Sequence, residues 1–436
     1  MSEKPKHVAV IGGGYAGMAA AVTLAERNIP VTVYEAGPML GGRARRVEIN
    51  GVTLDNGLHI LIGAYRETLR LIAKVHSSPA GALLRLPLDW TMHQRLHLRA
   101  PALPAPLHLL AALLTATGAP WGERWAAIRM MRTLRSADFR LPHDTNVTAL
   151  LAAHAQGANL TRYLWVPLCV SALNTPPDKA SAQLFLNVLR DGLNAERAGS
   201  DLLVSRVDLS ALFPEPAAAY VQARDGDVLT GSRVTAVDPV TDGFQVTAGG
   251  ATRTFSHVIC ALPPHQVAAF LAGITALAES MALVQALDYQ PISSVYLQFD
   301  GCVQLPAPMV GLAQSVAQWL FDRESICGQK GLIGAVISAE GPHQDLTQDA
   351  LAKRVLDELD AQFGPLPTLR WQRVITERRA TFSATPGLRR PQQKTPLANF
   401  WLAGDYTAGD YPATLEAAVR SGIVCARGIL GEPTAL

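Results

Sequence analysis

The stretch from His7 to Glu35 constrains the fold more than any other part of the chain. Its sequence is HVAVIGGGYAGMAAAVTLAERNIPVTVYE. The short runs rich in Val and Ile at both ends predict buried parallel strands, and the segment rich in Ala and Leu between them predicts a helix. Gly12, Gly14 and Gly17 have the spacing of a dinucleotide-binding turn between strand and helix. A nucleotide site is therefore predicted here.

Each position of this first turn has its own physical role. Gly12 permits a tight turn, Gly14 lets the backbone approach a pyrophosphate, and Gly17 lets the helix lie near the strand. The helix start offers free N–H groups to phosphate oxygens. Glu35, at the end of the second strand, is placed to accept hydrogen bonds from ribose hydroxyls. The alternative, a glycine turn that serves packing alone, leaves this acid unexplained.

Composition narrows the class of protein. The 436 residues suffice for two or three domains, and the formal charge of +2 does not indicate a nucleic-acid partner. Five cysteines are scattered without a Cys-x-x-Cys pair, so neither a disulfide framework nor a metal site is predicted. The first strand leaves no room for a signal peptide, and no apolar run suits a membrane span. These features favour a reduced, cytoplasmic protein.

A second glycine turn, LGGR, follows soon after the first. Arg43, next to Gly42, is a candidate to contact phosphate oxygens held by the first turn, and an ordinary surface loop is the alternative. Two short strands, near 47–49 and 52–54, then lead to the turn Asp55-Asn56-Gly57. An apolar segment with His59 follows this turn.

The C-terminal stretch FWLAGDYTAGDYPATLEAAVRSG has a second strand–turn–helix order. Asp405, after Gly404, is a candidate to accept a hydrogen bond from a cofactor hydroxyl. We expect Pro412 to begin a helix that runs over 414–429, and a helix start directed at a ligand stabilises negative charge. Because nucleotide-type signals occur at both ends of the chain, the simplest interpretation is one extended cofactor held by both.

The middle of the chain is dominated by helical patterns. In WGERWAAIRMMRTLR, Trp121, Trp125 and four arginines flank an apolar stripe, which suits a membrane surface. An ordinary surface helix is the open alternative. Further on, a largely apolar segment carries a few polar side chains that are candidates to line a cavity: Asn174, Gln183, Asn187, Arg190 and Asp191.

The segments IGGGYAGMAAAVTLAE, LGGR and the terminal LAGD resemble the flavin-containing amine oxidase and carotenoid desaturase superfamily. This resemblance implies an α/β fold, with a Rossmann-like FAD-binding domain of the glutathione-reductase type and a discontinuous α+β substrate domain. We expect residues 1–75, 202–275 and 391–436 in the FAD-binding domain, and 76–201 and 276–390 in the membrane-facing substrate domain. No cysteine adjoins the terminal Gly-Asp, so non-covalent FAD is expected.

The same resemblance implies roles for individual residues. The glycine turns and Arg43 hold the pyrophosphate, and Glu35 holds the adenosine ribose. The backbone of Val234 meets the adenine, Asp405 binds near the ribityl chain or pyrophosphate, and the terminal turn faces the flavin ring. The expected cofactor-binding residues are Gly12, Gly14, Gly17, Glu35, Gly42, Arg43, Asn56, Gly57, Val234, Gly404, Asp405, Ala413, Thr414 and Leu415.

Within the superfamily, LDNGLHILIGAYRETLRLI, ALNTPPDKASAQLFLNVLRDGL and DYPATLEAAVRSG are similar to the hydroxysqualene dehydroxylases. This similarity implies reductive removal of an allylic hydroxyl from a C30 isoprenoid alcohol, giving squalene for hopanoid synthesis. The implied steps are ionisation to an allylic cation and hydride transfer from N5 of reduced flavin. The implied partners are the lipid substrate, the cytoplasmic surface of the inner membrane and other squalene-pathway enzymes.

This reaction needs a water-excluding cavity and a proton donor for the departing hydroxyl. Asp55 and His59 lie in the DNGLH segment that is expected near the flavin, and Asp191 and Tyr411 are further candidates. The sequence leaves the choice open, because Asp55 also suits a turn and His59 suits a core.

Other functions are also compatible with parts of the sequence. A carotenoid-type desaturase is the first alternative, and a non-catalytic lipid-binding flavoprotein is another. An amine oxidase is disfavoured because the strand near 293–299 lacks the lysine that amine oxidases place beside the flavin. An NAD-dependent dehydrogenase explains the first glycine turn but not LGGR or the terminal Gly-Asp.

Overall fold

A computed structural model of the chain describes residues 6–194 and 196–435. Its N-terminal strand lies in a parallel sheet of five strands, which we call the nucleotide sheet. In spatial order the strands are Asp227–Leu229, Val31–Tyr34, Val8–Ile11, His257–Cys260 and Phe400–Leu402. The middle strands are buried on both faces, which explains their continuous runs of apolar residues. Residues far apart in sequence thus meet in one sheet.

Two helices from opposite ends of the chain pack against each other beside this sheet. The first helix, Tyr15–Ala25, is buried along its whole length, and the terminal helix is Leu415–Leu430. The Thr414 side chain caps the terminal helix by accepting a hydrogen bond from the Ala417 N–H at 3.1 Å. The helix predicted over 414–429 is therefore confirmed to within one residue, and Pro412 lies two residues before its cap instead of in its first turn.

A second large sheet, the substrate sheet, is mainly antiparallel. Its seven strands, in spatial order, are Leu369–Phe382, Tyr289–Phe299, Leu332–Ser338, Trp319–Asp322, Met309–Gly311, Asp89–Met92 and Leu96–Arg99. Helix Gln348–Phe363 packs on this sheet through Leu351, Val355 and Leu359.

The other described strands form three smaller groups. They are the hairpin Arg46–Ile49 and Val52–Asp55, the meander Val234–Val240, Gly243–Ala248 and Ala251–Phe255, and the sheet Ile60–Ile62, Leu202–Ser205 and Leu83–Leu86. The hairpin lies where the sequence predicts it. The last sheet pairs strands from both predicted domains, so the exact domain boundaries remain a prediction.

The middle of the chain is helical, as predicted. Its helices are Leu107–Thr115, Trp121–Ser136, Val147–Ala153, Ala158–Leu160, Val166–Leu173 and Ala182–Leu189, with π-helical turns Thr161–Trp165 and Arg190–Asn194. The remaining helices are Arg66–Val75, Pro79–Ala82, Arg197–Ser200, Leu209–Leu212, Pro214–Gln222, Pro264–Phe270, Thr275–Leu277, Ala278–Gln285, Arg323–Cys327 and Pro342–Asp345. Among the described residues, no helix combines the length and hydrophobicity needed to cross a membrane.

Candidate cofactor and substrate site

The first glycine turn has the geometry that its sequence predicts. Gly12 has a φ of +114°, which side chains rarely tolerate, and a Cβ on Gly17 would overlap the Gly12 carbonyl oxygen. Gly14 caps the first helix and faces the second glycine turn, where a Cβ on Gly14 would meet Gly42 Cα only at 3.8 Å. Bare backbone from both turns therefore surrounds the start of the first helix.

The Glu35 carboxylate holds the first turn by hydrogen bonds and can still accept others. One carboxylate oxygen accepts the Gly13 N–H and the other accepts the Gly37 N–H, each at 2.8 Å. The Ser232 N–H donates to the Glu35 carbonyl at 2.8 Å, which brings the segment before Val234 alongside. Because a carboxylate oxygen has two lone pairs, both Glu35 oxygens can still accept from ribose hydroxyls.

Arg43 joins the two ends of the chain. Its Nη2 donates to Asp405 Oδ1 at 2.6 Å, and its Nη1 donates to the Ala380 carbonyl at 2.6 Å. The Asp405 side chain is 8% exposed. Burial disfavours the Arg43 charge, but the Asp405 carboxylate raises the pKa of Arg43 overall. The cation and the acid that the sequence assigns separately to the cofactor are therefore adjacent.

The Asp55-Asn56-Gly57 turn lies beside Arg43. The Asn56 amide donates to the Arg43 carbonyl at 3.3 Å. His59 Nδ1 lies 2.7 Å from the Gly57 carbonyl oxygen, and burial lowers the pKa of His59. This turn is thereby held against the second glycine turn.

The described residues fit an extended dinucleotide cofactor. The backbone of two glycine turns and a helix N-terminus can receive phosphates, Glu35 can receive a ribose, and the turn before Leu415 continues the same side of the fold. The turn at Gly404 and Asp405 is held against the terminal helix, because the Gly404 N–H donates to Ser421 Oγ at 2.8 Å. Contacts between these residues and the cofactor remain predictions.

A mostly apolar cavity of about 400 Å³ extends from the start of the terminal helix towards helix Leu107–Thr115. Among the residues lining it are Trp90, Leu109, Leu113, Leu168, Met309 and Trp319. Leu110 lines the cavity and is also 37% exposed, so the cavity reaches the surface there. This volume lies within the range of small-molecule sites, roughly 300 to 1,000 Å³.

One end of the cavity, which we call the polar end, is formed by Tyr65, Asp191, Tyr411 and Thr414. The Tyr411 hydroxyl donates to Asp191 Oδ2 at 2.7 Å, and the Thr414 hydroxyl hydrogen-bonds the phenol of Tyr65. Arg190 Nε donates to Asp191 Oδ1 at 2.7 Å. The polar end therefore contains a carboxylate and two phenols within an apolar wall.

The charges of Asp191 and Tyr411 follow from their surroundings. Burial alone disfavours an ionised Asp191, but hydrogen bonds from Arg190 and Tyr411 lower its pKa overall. Burial raises the pKa of Tyr411. At neutral pH, Asp191 is thus a carboxylate and Tyr411 a neutral phenol that donates to it.

Asp55 occupies a different place. It is buried, and its Oδ1 accepts the Leu209 N–H at 2.8 Å while its carbonyl accepts the Tyr296 hydroxyl at 2.8 Å. Burial raises the pKa of Asp55 to about 6. Within the described residues, the cavity wall includes Asp191 and Tyr411 but neither Asp55 nor His59. The identity of the proton donor remains a prediction.

Of the five polar candidates for the cavity, Asp191 lines it, whereas Asn174, Gln183, Asn187 and Arg190 do not in the described chain. Asn174 accepts the Ala339 N–H at 2.6 Å, and the Asn187 amide donates to the Asp410 carbonyl at 2.8 Å. Gln183 also hydrogen-bonds backbone groups. The expectation for these four residues is wrong, because the amides hydrogen-bond backbone groups and Arg190 hydrogen-bonds the Asp191 carboxylate instead.

The sequence did not identify several residues that the cavity brings together. Tyr65, Trp90 and Trp319 line it, and the two indoles pack edge to face with centroids 4.8 Å apart. An isolated aromatic residue in an apolar segment is typical of any core, so no signal in the sequence distinguishes these three.

The helix Trp121–Ser136 is amphipathic, as predicted. Its buried residues are Ala126, Ala127, Met130 and Leu134. Trp121 and Trp125 are 59% and 52% exposed. We call these two residues and the exposed Leu103, Leu107 and Leu110 the tryptophan surface, of which Leu110 lines the cavity.

Comparison with known proteins agrees with this geometry. The model of the family "Flavin containing amine oxidoreductase" matches residues 15–430. A hydroxysqualene dehydroxylase from Rhodopseudomonas palustris is 30% identical over 96% of this chain and 96% of its own. A zeta-carotene desaturase from Synechocystis is 26% identical over 98% of both chains. Among solved structures, an oxidoreductase from Methanosarcina mazei is similar with a TM-score of 0.73 and 14% identity, covering 98% of this chain and 100% of its own.

The chain belongs to the flavin containing amine oxidoreductase family and is an FAD-dependent oxidoreductase. Within this family it is similar to hydroxysqualene dehydroxylases, and the carotene desaturases are more distant. The predicted fold class, with a Rossmann-like domain, and the predicted FAD cofactor are confirmed.

Proposed function

We propose that the chain removes the allylic hydroxyl of hydroxysqualene reductively to give squalene. The observation that carries this proposal is the apolar cavity, whose polar end at Asp191 and Tyr411 adjoins the start of the terminal helix. A long hydrocarbon with one hydroxyl matches such a cavity in polarity. The sequence similarity to hydroxysqualene dehydroxylases, which extends over nearly the whole chain, supports the same substrate.

The residues of the polar end suit the breaking of a carbon–oxygen bond. The Tyr411 hydroxyl, whose one proton is donated to Asp191, accepts a hydrogen bond from the substrate hydroxyl and orients it, and the Asp191 carboxylate offsets the positive charge that develops on the allylic carbon. The apolar wall excludes water, which would recapture the cation. Bound FAD in its reduced form supplies the hydride that replaces the hydroxyl. The hydroxyl leaves as water after it takes up a proton.

An anaerobic experiment tests this function. The flavin of the purified protein is reduced chemically, hydroxysqualene is added, and the oxidised flavin absorbance is followed while lipids are extracted. We expect flavin reoxidation with an equal amount of squalene. Unchanged lipid and a flavin that stays reduced would contradict the proposal.

A carotenoid-type desaturation is the second candidate, because a zeta-carotene desaturase is similar over 98% of this chain. A polyene has no hydroxyl for Tyr411 to bind, so this reaction leaves the polar end without a role. Oxidised enzyme incubated with phytoene-type polyenes decides between the two. Flavin reduction with a new conjugated double bond in the lipid would establish desaturation.

We also propose that the tryptophan surface contacts a membrane, at the cytoplasmic face of the inner membrane, where other squalene-pathway enzymes would be neighbours. Exposed indoles beside arginines suit the lipid interface, and the cavity opens at this surface. Trp121→Gln with Trp125→Gln should reduce sedimentation with liposomes, whereas Leu346→Gln, at an exposed leucine elsewhere, should not. Equal sedimentation of both variants would contradict membrane contact at this surface.

A further inference from the structure

Glu416 is a buried charge in the first turn of the terminal helix, with an exposure of 0%. One carboxylate oxygen accepts the Thr68 N–H at 2.9 Å and the Thr68 hydroxyl at 2.7 Å. The other accepts the Glu67 N–H at 3.1 Å and Arg420 Nε at 2.7 Å. Four donors therefore meet one carboxylate, which satisfies the charge that burial would otherwise disfavour.

Three of the four donors belong to the helix that Tyr65 caps, and the fourth, Arg420, contacts the ring of Tyr411. Glu67 and Thr68 lie in the first turn of helix Arg66–Val75, and Tyr65 is the residue that caps this helix. The Arg420 guanidinium stacks on the Tyr411 ring, 4.7 Å from its centroid. Glu416 thus binds the start of the helix that Tyr65 caps, and it also binds the guanidinium that stacks on Tyr411.

We propose that Glu416 is a positioning residue that fixes the Tyr65 and Tyr411 hydroxyls at the polar end of the cavity. The inference rests on the proposed function, in which Tyr411 touches the reacting hydroxyl. A neutral amide in place of Glu416 has one acceptor oxygen, so it cannot receive the amide protons and Arg420 together. The start of helix Arg66–Val75 and the Arg420 guanidinium would then move independently. Both phenols would lose their fixed positions.

The structure offers a matched control in Glu358. Its carboxylate accepts the Val316 and Ala317 N–H groups at 3.0 and 3.3 Å and the Arg354 Nε at 3.0 Å. Glu358 is therefore also a largely buried acid that holds two backbone amides and an arginine one helical turn away. In the described chain none of these residues lines the cavity.

The test compares Glu416→Gln with Glu358→Gln. For Glu416→Gln we expect kcat to fall on the order of tenfold to a hundredfold, with KM and FAD content little changed, because misplaced groups slow the chemical step. Glu358→Gln should lower the unfolding temperature without changing kcat. Arg420→Lys, which keeps the charge but not the flat stacking, should fold and show a smaller loss of kcat. An equal kcat in wild type and Glu416→Gln would overturn the proposal.

A double-mutant cycle separates positioning from general destabilisation. In a Tyr65→Phe/Tyr411→Phe background, Glu416→Gln should cause little further loss of kcat, because the groups that it positions are gone. Losses that multiply in full would overturn the inference while leaving the proposed function intact. A wild type without turnover would overturn the proposed function instead.

A spectroscopic measurement tests the positioning without turnover. A fluorotyrosine incorporated at position 411 should give one sharp fluorine resonance in wild type and in Glu358→Gln, and a shifted or broadened one in Glu416→Gln. The same resonance in all three proteins would overturn the positioning role whatever the substrate is.

Discussion

The nucleotide site and the substrate cavity are built in opposite ways. The nucleotide site consists mainly of backbone, and the motifs that form it are contiguous at each end of the chain. The cavity consists of side chains from elements scattered between Ile60 and Thr414. Backbone sites require glycine at fixed spacing, so they leave a readable signal in sequence, whereas an apolar wall accepts many residues of similar size.

This difference predicts separate consequences of substitution in the two regions. Changes in the glycine turns should remove FAD and with it all activity. Changes at the polar end should slow turnover in a protein that still binds FAD.

The largest effect is expected for Gly17→Leu. Any Cβ at this position overlaps the Gly12 carbonyl oxygen, so the first turn and the helix must separate. We expect the purified protein to be colourless, with flavin absorbance per protein near zero. Gly122→Ala, where an added Cβ meets no atom within 4 Å, should keep full FAD content. A yellow Gly17→Leu protein would contradict the role of the first turn.

Next in size is the effect of Asp191→Asn on turnover. The amide cannot offset a developing cation or hold Tyr411 in the same way, and such losses reduce rates by about a hundredfold to ten-thousandfold. FAD content should remain that of the wild type. If Asp191→Asn also lost its flavin, the two regions would not be functionally separate.

The variant Asp55→Asn tests whether Asp55 is the proton donor. Because Asp55 holds the Leu209 N–H and does not line the described cavity, we expect its replacement to change kcat less than tenfold, or about 1 kcal/mol of barrier. A loss as large as that of Asp191→Asn would instead identify Asp55 as the acid.

The stability of the protein should depend on pH through Asp55. Its pKa is about 6 in the folded protein and returns to the ordinary value of 3.8 on unfolding. Between these values the folded state holds the extra proton, so stability falls as pH rises from about 4 to about 6, by up to about 3 kcal/mol. Urea unfolding at several pH values should show that Asp55→Asn lacks this decrease. Parallel curves for the two proteins would contradict it.

A modest effect on stability is expected for the ion pair between Arg43 and Asp405, which joins both ends of the chain. Arg43→Met leaves the buried Asp405 carboxylate with one partner fewer, which should lower the free energy of unfolding by about 1–3 kcal/mol. Arg27→Met, which breaks the exposed pair with Glu432, should change it by less than about 1 kcal/mol. Equal values for the two variants would show that Arg43 contributes no more than a surface charge.

The sequence alone determined the nucleotide end of this protein. The glycine spacing, Glu35 and the terminal Gly-Asp predicted buried parallel strands, the two helices and one extended nucleotide cofactor, because dihedral angles and close backbone contacts admit few residue types. The resemblance to the flavin-containing superfamily then implied that this cofactor is FAD. The amphipathic Trp121–Ser136 helix was also readable, since its period is local.

Only the tertiary structure decided how the polar groups are distributed. It joined Asp191 to Tyr411 across more than two hundred residues of sequence, placed Asp55 against Leu209, and set Glu416 between the supports of two tyrosines. Propensity and periodicity act over a few residues, whereas these contacts depend on how sheets and helices pack. An aspartate or glutamate in the sequence does not reveal whether its carboxylate will accept backbone N–H groups or line a substrate cavity.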